Sequence, residues 1–218
     1  MIVDVSYIAE ILPSLLGATL ITLRIAVLAF GLSLVIGLGF ALLRLSSHRR
    51  IAAGTFAITE AIRLTPLLVQ LFFAYYVLPE VGISLPAEPT GILVIGLHYA
   101  TYTSEVFRSG IQAVQRGQWE AAASLGLRGF IVWRKIILPQ AIRPMIPALG
   151  NYLVQLFKEV PLLSTITVYE LLNTANLIAG QSFRYLEVMT LVALIFFVIS
   201  YGSSLLIAGL ESPEQRRR

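Results

Sequence analysis

The sequence predicts an all-α membrane protein of about five transmembrane helices, with its N-terminus outside and its C-terminus in the cytoplasm. Three observations carry this. First, of 218 residues 57% are hydrophobic and only 13% are charged, at a mean hydropathy of +0.81, whereas a soluble domain carries roughly 25% charged residues. Second, residues 25–43 and 188–209 are continuous apolar runs of the length, about 20 residues, that spans a bilayer. Third, Lys and Arg segregate into alternate connecting segments, as cytoplasmic loops require. The net charge of +4 therefore reflects topology, and no nucleic-acid partner is expected. Cysteine is absent, which excludes disulfides and thiolate metal sites. The opening "MIVDVSYIAE" is acidic and lacks the basic n-region of a cleaved signal peptide, so the first hydrophobic segment is expected to remain in the mature protein.

The elements follow in order. The 25–43 run is the first span, with Pro13 expected in the first turn of a longer helix leading into it. A second candidate runs from about Ile51 to Leu78 and is interrupted by Glu60 and Arg63. A third covers about 90–113, with Glu105 and Arg108 near its end. A fourth, about 138–158, is rich in proline and polar residues, and a fifth covers about 188–209. With the N-terminus outside, Arg44, Arg49, Arg50, Arg108, Arg116, Arg128, Arg134, Lys135, Arg143, Arg216, Arg217 and Arg218 fall inside, 12 of the 16 basic residues. The outer segments 1–10, 79–89 and 159–185 hold one arginine, Arg184, against Asp4, Glu10, Glu80, Glu88, Glu159 and Glu170. The opposite orientation reverses this asymmetry. Arg24 is expected to snorkel to the outer interface.

The longest basic loop lies between the third and fourth spans and contains "EAAASLGLRGFIVWRKIILP". Written as a helix, its residues 118–128 bring Trp119, Ala122, Ala123 and Gly126 onto one small-residue face, with Glu120 and Ser124 on another. Gly126 suits a helix end, because glycine accepts the left-handed conformation there. Periodicity alone leaves two readings open: a linker at the membrane surface, or a rigid knob that another backbone can approach closely.

The spacing of Glu120, Ala121, Ala122, Gly126, Ile136, Leu138 and Pro139 matches, without a gap, the signature of bacterial ABC import permeases. "RLTPLLVQLFFAYYVLP" (63–79), "EVFRSGIQAVQRGQWEAA" (105–122) and "ILPQAIRPMIPALGN" (137–151) resemble the polar amino-acid permease subfamily. In all, the likeness covers about residues 14–175. It implies a single permease domain over 1–218 with the type I ABC importer permease fold, in the bacterial inner membrane. It implies a cytoplasmic coupling-helix loop at about 115–137, whose helix docks on a separate ATPase through Trp119, Glu120, Ala121, Ala122, Ala123, Gly126 and Leu127. The implied partners are cytoplasmic ATP-binding subunits, a second identical or homologous permease subunit, and a periplasmic or lipid-anchored solute-binding protein. Two positions depart from the pattern. Leu64 stands where the family usually has Gly, and "KEVPLL" (158–163) stands where relatives commonly read Lys-Asp/Glu-Thr/Ser-Ser-Leu. The second departure bears on the substrate more than on the family.

The chain carries no G-x-x-x-x-G-K-[ST] motif, the loop whose amides cradle phosphates. It is not expected to be an enzyme or to bind a cofactor; ATP and Mg belong on the partner ATPase. Gly31, Gly37 and Gly39 read as close helix packing. His48 and His98 stand apart without metal-ligand spacing. Glu60 with Arg63, and Glu105 with Arg108, are spaced to pair on one helix face.

Polar side chains in hydrocarbon usually face a bundle interior or a watery cavity. Asn151, Gln155 and Lys158 recur on one helical face, and Pro144 and Pro147 are placed to free carbonyls nearby. Gln70 follows Arg63 by two turns. These residues, with Glu159, are the candidate substrate path; the alternative is that Asn151 and Gln155 only hydrogen-bond neighbouring helices. Lys158 beside Glu159 suits the carboxylate and ammonium of a zwitterion. Segments 79–89 and 160–185 are the candidate docking region for a binding protein. The function expected is the membrane subunit of an ATP-driven importer for a polar amino acid or related small zwitterion, a compatible solute such as ectoine included. Two rivals stay open from the residues alone. One is an ion-gradient-driven transporter with Lys158 and Glu159 as a proton relay, and the other is a scaffold that does not transport.

Overall fold

The computed structural model describes residues 4–210. Arg216, Arg217 and Arg218 of the expected cytoplasmic tail lie outside the described residues. All regular structure among the described residues is helical.

Helix α1, Val5–Arg44, has 40 residues, about 60 Å at 1.5 Å per residue, twice the roughly 30 Å hydrocarbon core. Its start is set by Asp4, whose Oδ1 accepts the backbone N–H of Ser6 at 3.1 Å and of Tyr7 at 3.3 Å. Pro13 is thus more than two turns inside the helix, not in its first turn, because a better cap lies upstream. Arg184 Nη1 donates to Asp4 Oδ2 at 3.0 Å and its guanidinium lies 4.5 Å from the Tyr7 ring centre, while the Tyr7 hydroxyl donates to Ser182 at 2.6 Å. The Ser6 hydroxyl first, then Arg184, hold the Asp4 carboxyl well below the usual carboxylate range. The staple therefore keeps its full contribution above the ordinary carboxylate pKa and loses it only as pH falls through the depressed one.

Helix α2 is Arg49–Leu64 and α3 is Leu67–Phe72, running on through a π turn Phe73–Val77 and a 3-10 turn Leu78–Val81. The two arms are bent by 98°. The expected single span 51–78 is broken at Thr65, held extended (φ −90°, ψ 130°) ahead of Pro66, as a residue before proline prefers. Helix α4 is Ala87–Gln112 and α5 is Arg116–Ser124. Helix α6, Gly129–Val132, leads through a π turn into α7, Leu138–Glu159, which stays helical through Pro144 and Pro147. After the 3-10 turn Val160–Ile166 come α8, Leu171–Ser182, and α9, Tyr185–Leu210. By length and apolarity α1 and α9 can cross a membrane, and the bent α2–α3 pair makes a third candidate. Helices α4 and α7 occupy the predicted third and fourth positions with 26 and 22 residues, though charged, proline and amide groups interrupt their apolar character.

The seam between α1 and α4 organises the bundle. A Cβ on Gly37 would fall 2.1 Å from Thr103 Oγ1 and 2.9 Å from the Ala100 carbonyl, so only glycine allows this approach. Thr103 in turn donates to the Ser33 carbonyl at 2.8 Å. Gly31 and Gly39, grouped with Gly37 from the sequence, meet open space. Ile25, Leu71, Ile95, Tyr99, Leu156 and Leu163 form the central core. At one end Leu15, Leu171 and Val188 join α1, α8 and α9, and the Leu171 N–H donates to Thr22 at 3.0 Å. At the other end Ile111, Ala122, Ile137 and Met145 seat α5.

Near that α5 end an ion network ties three helices. Glu105 of α4 takes Arg44 of α1 on one oxygen and Arg108 at 2.8 Å on the other, with Arg63 of α2 at 3.7 Å. Arg63 also binds Glu60 at 2.9 Å and the Thr101 carbonyl at 2.8 Å. Both i,i+3 pairs expected from the sequence are formed. Arg24 reaches both oxygens of Glu88 at 2.7 and 2.8 Å, a partner its snorkelling alone does not require.

Two outcomes follow for purified protein melted in detergent. Gly37→Ala should lose about 1–3 kcal/mol to overpacking, whereas Gly31→Ala should be neutral or gain up to ~1 kcal/mol of helix propensity. Glu105→Ala strands Arg44, whose side chain is only 11% exposed, and should lose about 3 kcal/mol. Glu120→Ala, which breaks an exposed pair with Arg116, should change stability by less than about 1 kcal/mol.

Candidate functional site

Helix α5 stands out from the bundle as a short knob. Its end is a Schellman turn: Leu127 N–H bonds the Ala122 carbonyl at 3.1 Å and Gly126 N–H the Ala123 carbonyl at 3.0 Å, with Gly126 at φ +64°. The helix is thus Arg116–Ser124, shorter than the 118–128 expected at its far end, and Gly126 closes it as predicted. The small-residue face divides. Ala122 is buried, and Trp119 and Leu127 pack on the chain's own Val132, Ile137 and Ala141 cluster. Trp119 meets Trp133 edge-on at 5.4 Å. These three turn inward and seat the knob, Ala122 fully covered and Trp119 and Leu127 half-buried. The outward surface is Glu120, Ala121, Ala123, Ser124 and Gly126, together with Leu125 at 75% and Phe130 at 73% exposure. Leu125 and Phe130 were not picked out from the sequence. Their signal was two large apolar residues flanking a water-facing, small-residue turn.

Helix α7 brings Asn151, Gln155 and Lys158 onto one exposed face, bordered by the buried Val154 and turned away from the buried Leu156 and Phe157. Among the described residues these three side chains meet no hydrogen-bond or ion-pair partner. Two other predicted residues behave differently. Gln70 is not on one continuous helix with Arg63, because the 98° bend intervenes. Its amide donates to the Ile62 carbonyl at 2.6 Å and the Thr65 carbonyl at 2.9 Å, and its oxygen faces His98 Nδ1 at 3.3 Å. It satisfies the carbonyls that the Pro66 break releases and so braces the bend. Glu159 turns away from Lys158 towards Tyr99. Glu159 Oε2 and the Tyr99 hydroxyl are both buried without a hydrogen bond of good geometry. Around them Tyr99, Tyr102 and Tyr152 group with centroids 5.5–6.4 Å apart, and Arg63 lies 5.3 Å from the Tyr102 ring centre. This aromatic and charged patch joins α2, α4 and α7. Sequence reasoning did not assemble it, although Tyr99 and Tyr102 are spaced to share a helix face.

The chain thus combines a membrane bundle, a braced knob and an unpartnered polar face. The family model for the binding-protein-dependent transport system inner membrane component matches residues 33–212. A probable amino-acid ABC transporter permease protein of Sinorhizobium fredii, y4tG, is 47% identical over 94% of this chain and 88% of its own length. The nopaline transport system permease protein NocM of Agrobacterium fabrum is 37% identical over 99% and 95%. The crystal structure of an amino acid ABC transporter with histidines contains a chain that superposes with a TM-score of 0.89 at 35% identity, over the whole of both chains. The membrane chain of the MetNI methionine transporter shares the fold, with a TM-score of 0.71 at 17% identity, over 91% of this chain and 96% of its own. The match over most of the length, joined to the knob and bundle geometry, identifies this chain as a member of the inner-membrane permease family of ABC importers, in its amino-acid branch, a multi-pass subunit whose ATPase is a separate polypeptide.

Proposed function

We propose that this permease carries an amino acid across the inner membrane along a path whose wall includes the Asn151, Gln155 and Lys158 face of α7. The chain has five spans, α1, the bent α2–α3 pair, α4, α7 and α9, with the N-terminus outside and the C-terminus in the cytoplasm. Two permease subunits, identical or homologous, place their α7 faces towards each other and enclose the path. A solute-binding protein delivers the solute at the outer end, near segment 79–89 and the part of segment 160–185 that precedes the α8–α9 turn. The observation that carries this reading is the row of amide and ammonium groups with no partner among the described residues. Such groups are too costly to leave against hydrocarbon, so a second subunit and a polar solute are what they meet. Lys158 receives the solute carboxylate. The ammonium group lies towards Glu159 and the Tyr102 and Tyr152 rings, a setting that favours a cation. The relatives reported above are named for amino acids or an amino-acid derivative, and a compatible solute such as ectoine gains no support from them.

Residues 115–137 are the coupling loop. Glu120, Ala121, Ala123, Leu125 and Gly126 meet the ATPase, with Phe130 at the rim, while Trp119, Ala122 and Leu127 transmit its movement to α7 through the cluster they share. Binding of ATP on one side and of loaded binding protein on the other favour different states of the bundle, which is the coupling a pump needs.

Two experiments test this in proteoliposomes holding the assembled importer. Leu125→Asp, on the exposed face of the knob, should cut ATP-driven uptake at least about tenfold by desolvating a charge at the interface, with membrane insertion unchanged; uptake at the parental level would refute the docking face. Lys158→Ala should raise the KM for amino-acid uptake about 10–100-fold, the worth of a charge-assisted hydrogen bond, with ATP hydrolysis in the absence of solute unchanged. A KM within twofold of the parent would remove Lys158 from the path.

A further inference from the structure

The turn between α8 and α9 carries a feature that transport does not use. Phe183 sits at φ +58° with 86% of its surface exposed. A bulky residue persists in that left-handed conformation only where its surroundings over-determine it, and here both neighbours are pinned to α1. Ser182 accepts the Tyr7 hydroxyl at 2.6 Å and donates to the Ile178 carbonyl at 2.8 Å. Arg184 pairs with Asp4 at 3.0 Å and stacks on Tyr7. With both flanks drawn inward, the phenyl ring is thrust outward on a rigid turn.

The surface that follows it in the chain points to what covers it. On α9, Leu186, Leu194, Phe197, Tyr201 and Leu205 form an uncovered stripe, each more than half exposed. The polar residue within it, Thr190, bonds back to the Leu186 carbonyl at 2.6 Å, which leaves no unmet hydroxyl towards hydrocarbon. Helix α9 can cross a membrane, and its 26 residues reach about 39 Å against a core of roughly 30 Å. The excess reaches the interfacial layer, and Glu187 in the first turn marks this end as the one there, the level at which aromatic rings anchor spans. The charge of Arg184 is already met by Asp4, so insertion calls for no anionic lipid.

We propose that the 182–186 turn is a membrane-interface anchor, with Phe183 inserted at the boundary between the glycerol and acyl regions of the phospholipid bilayer. Its role is to hold α8 against the membrane surface and to set the depth of α9. The reading does not depend on which side of the membrane the turn occupies.

The chain has no cysteine, so single reporters need no background removal. Phe183→Cys, and Tyr185→Cys as a second reporter in the same turn, carry a nitroxide in the full-length chain reconstituted with its ATPase subunit in zwitterionic lipid nanodiscs. Phe197→Cys is the hydrocarbon reference and Glu80→Cys the water reference. The anchor requires collision with oxygen to exceed collision with a water-soluble nickel chelate at 183, by less than at 197 and unchanged when anionic lipid is added. Nickel collision in excess, as at 80, would place the ring in water and overturn the proposal. Low collision with both agents would mean that protein covers it, a second copy or a binding protein, and would overturn it equally. Should the 183 variant fail to assemble, the same three outcomes are read at 185.

Discussion

The close approach of α1 to α4 is the constraint on which the molecule depends. A membrane interior offers no hydrophobic force to press two helices together. Contact has to come from shape and from polar bonds that the lipid cannot supply. Gly37 provides the shape, and the Thr103 hydroxyl on the Ser33 carbonyl provides the bond. Thr101, Thr103 and Ser104 of α4 are all buried, Thr103 on α1, so the polar character of α4 is spent inside the bundle. Helix α7 then packs on α4, and α8 and α9 close on the first half of α1.

Charge is handled by the same logic at greater expense. Three arginines and two glutamates from three helices meet around Glu105. Each is long enough to reach a partner, and the sum is one positive charge in excess. Arg63 links this network to the tyrosine patch, where Glu159 and Tyr99 keep unmet polar atoms. Among the described residues the buried side-chain atoms without a hydrogen bond are Arg63 Nε, Tyr99 Oη, Glu159 Oε2 and Ser200 Oγ, three of them in or beside the tyrosine patch. Unsatisfied buried groups in an otherwise well-bonded molecule mark a place that completes itself with something else.

Much of this was legible in the residues. The segments predicted at 90–113, 138–158 and 188–209 coincide with helices α4, α7 and α9 to within about three residues, and of these α9 is long and apolar enough to cross a membrane. The glycine at the end of α5 announced its own conformation. The inward turn of Trp119 and Ala122 did not, because a small-residue face describes what can approach closely, not which neighbour does. The alignment of Gln70 with Arg63 failed for a related reason. Its periodicity with Arg63 assumed an unbroken helix, whereas Pro66 lies between them and redirects the chain by 98°. The tyrosine patch draws on two helices distant in sequence, and the spacing of Tyr99 and Tyr102 signals only one side of it.

The two tryptophans of the chain are Trp119 and Trp133, and they lie edge to face at the root of α5. All indole emission from this polypeptide thus originates at one spot, where the knob joins the bundle. The unlabelled permease is in effect its own optical gauge, and its ultraviolet fluorescence reports on a single mechanical joint without dye or tag.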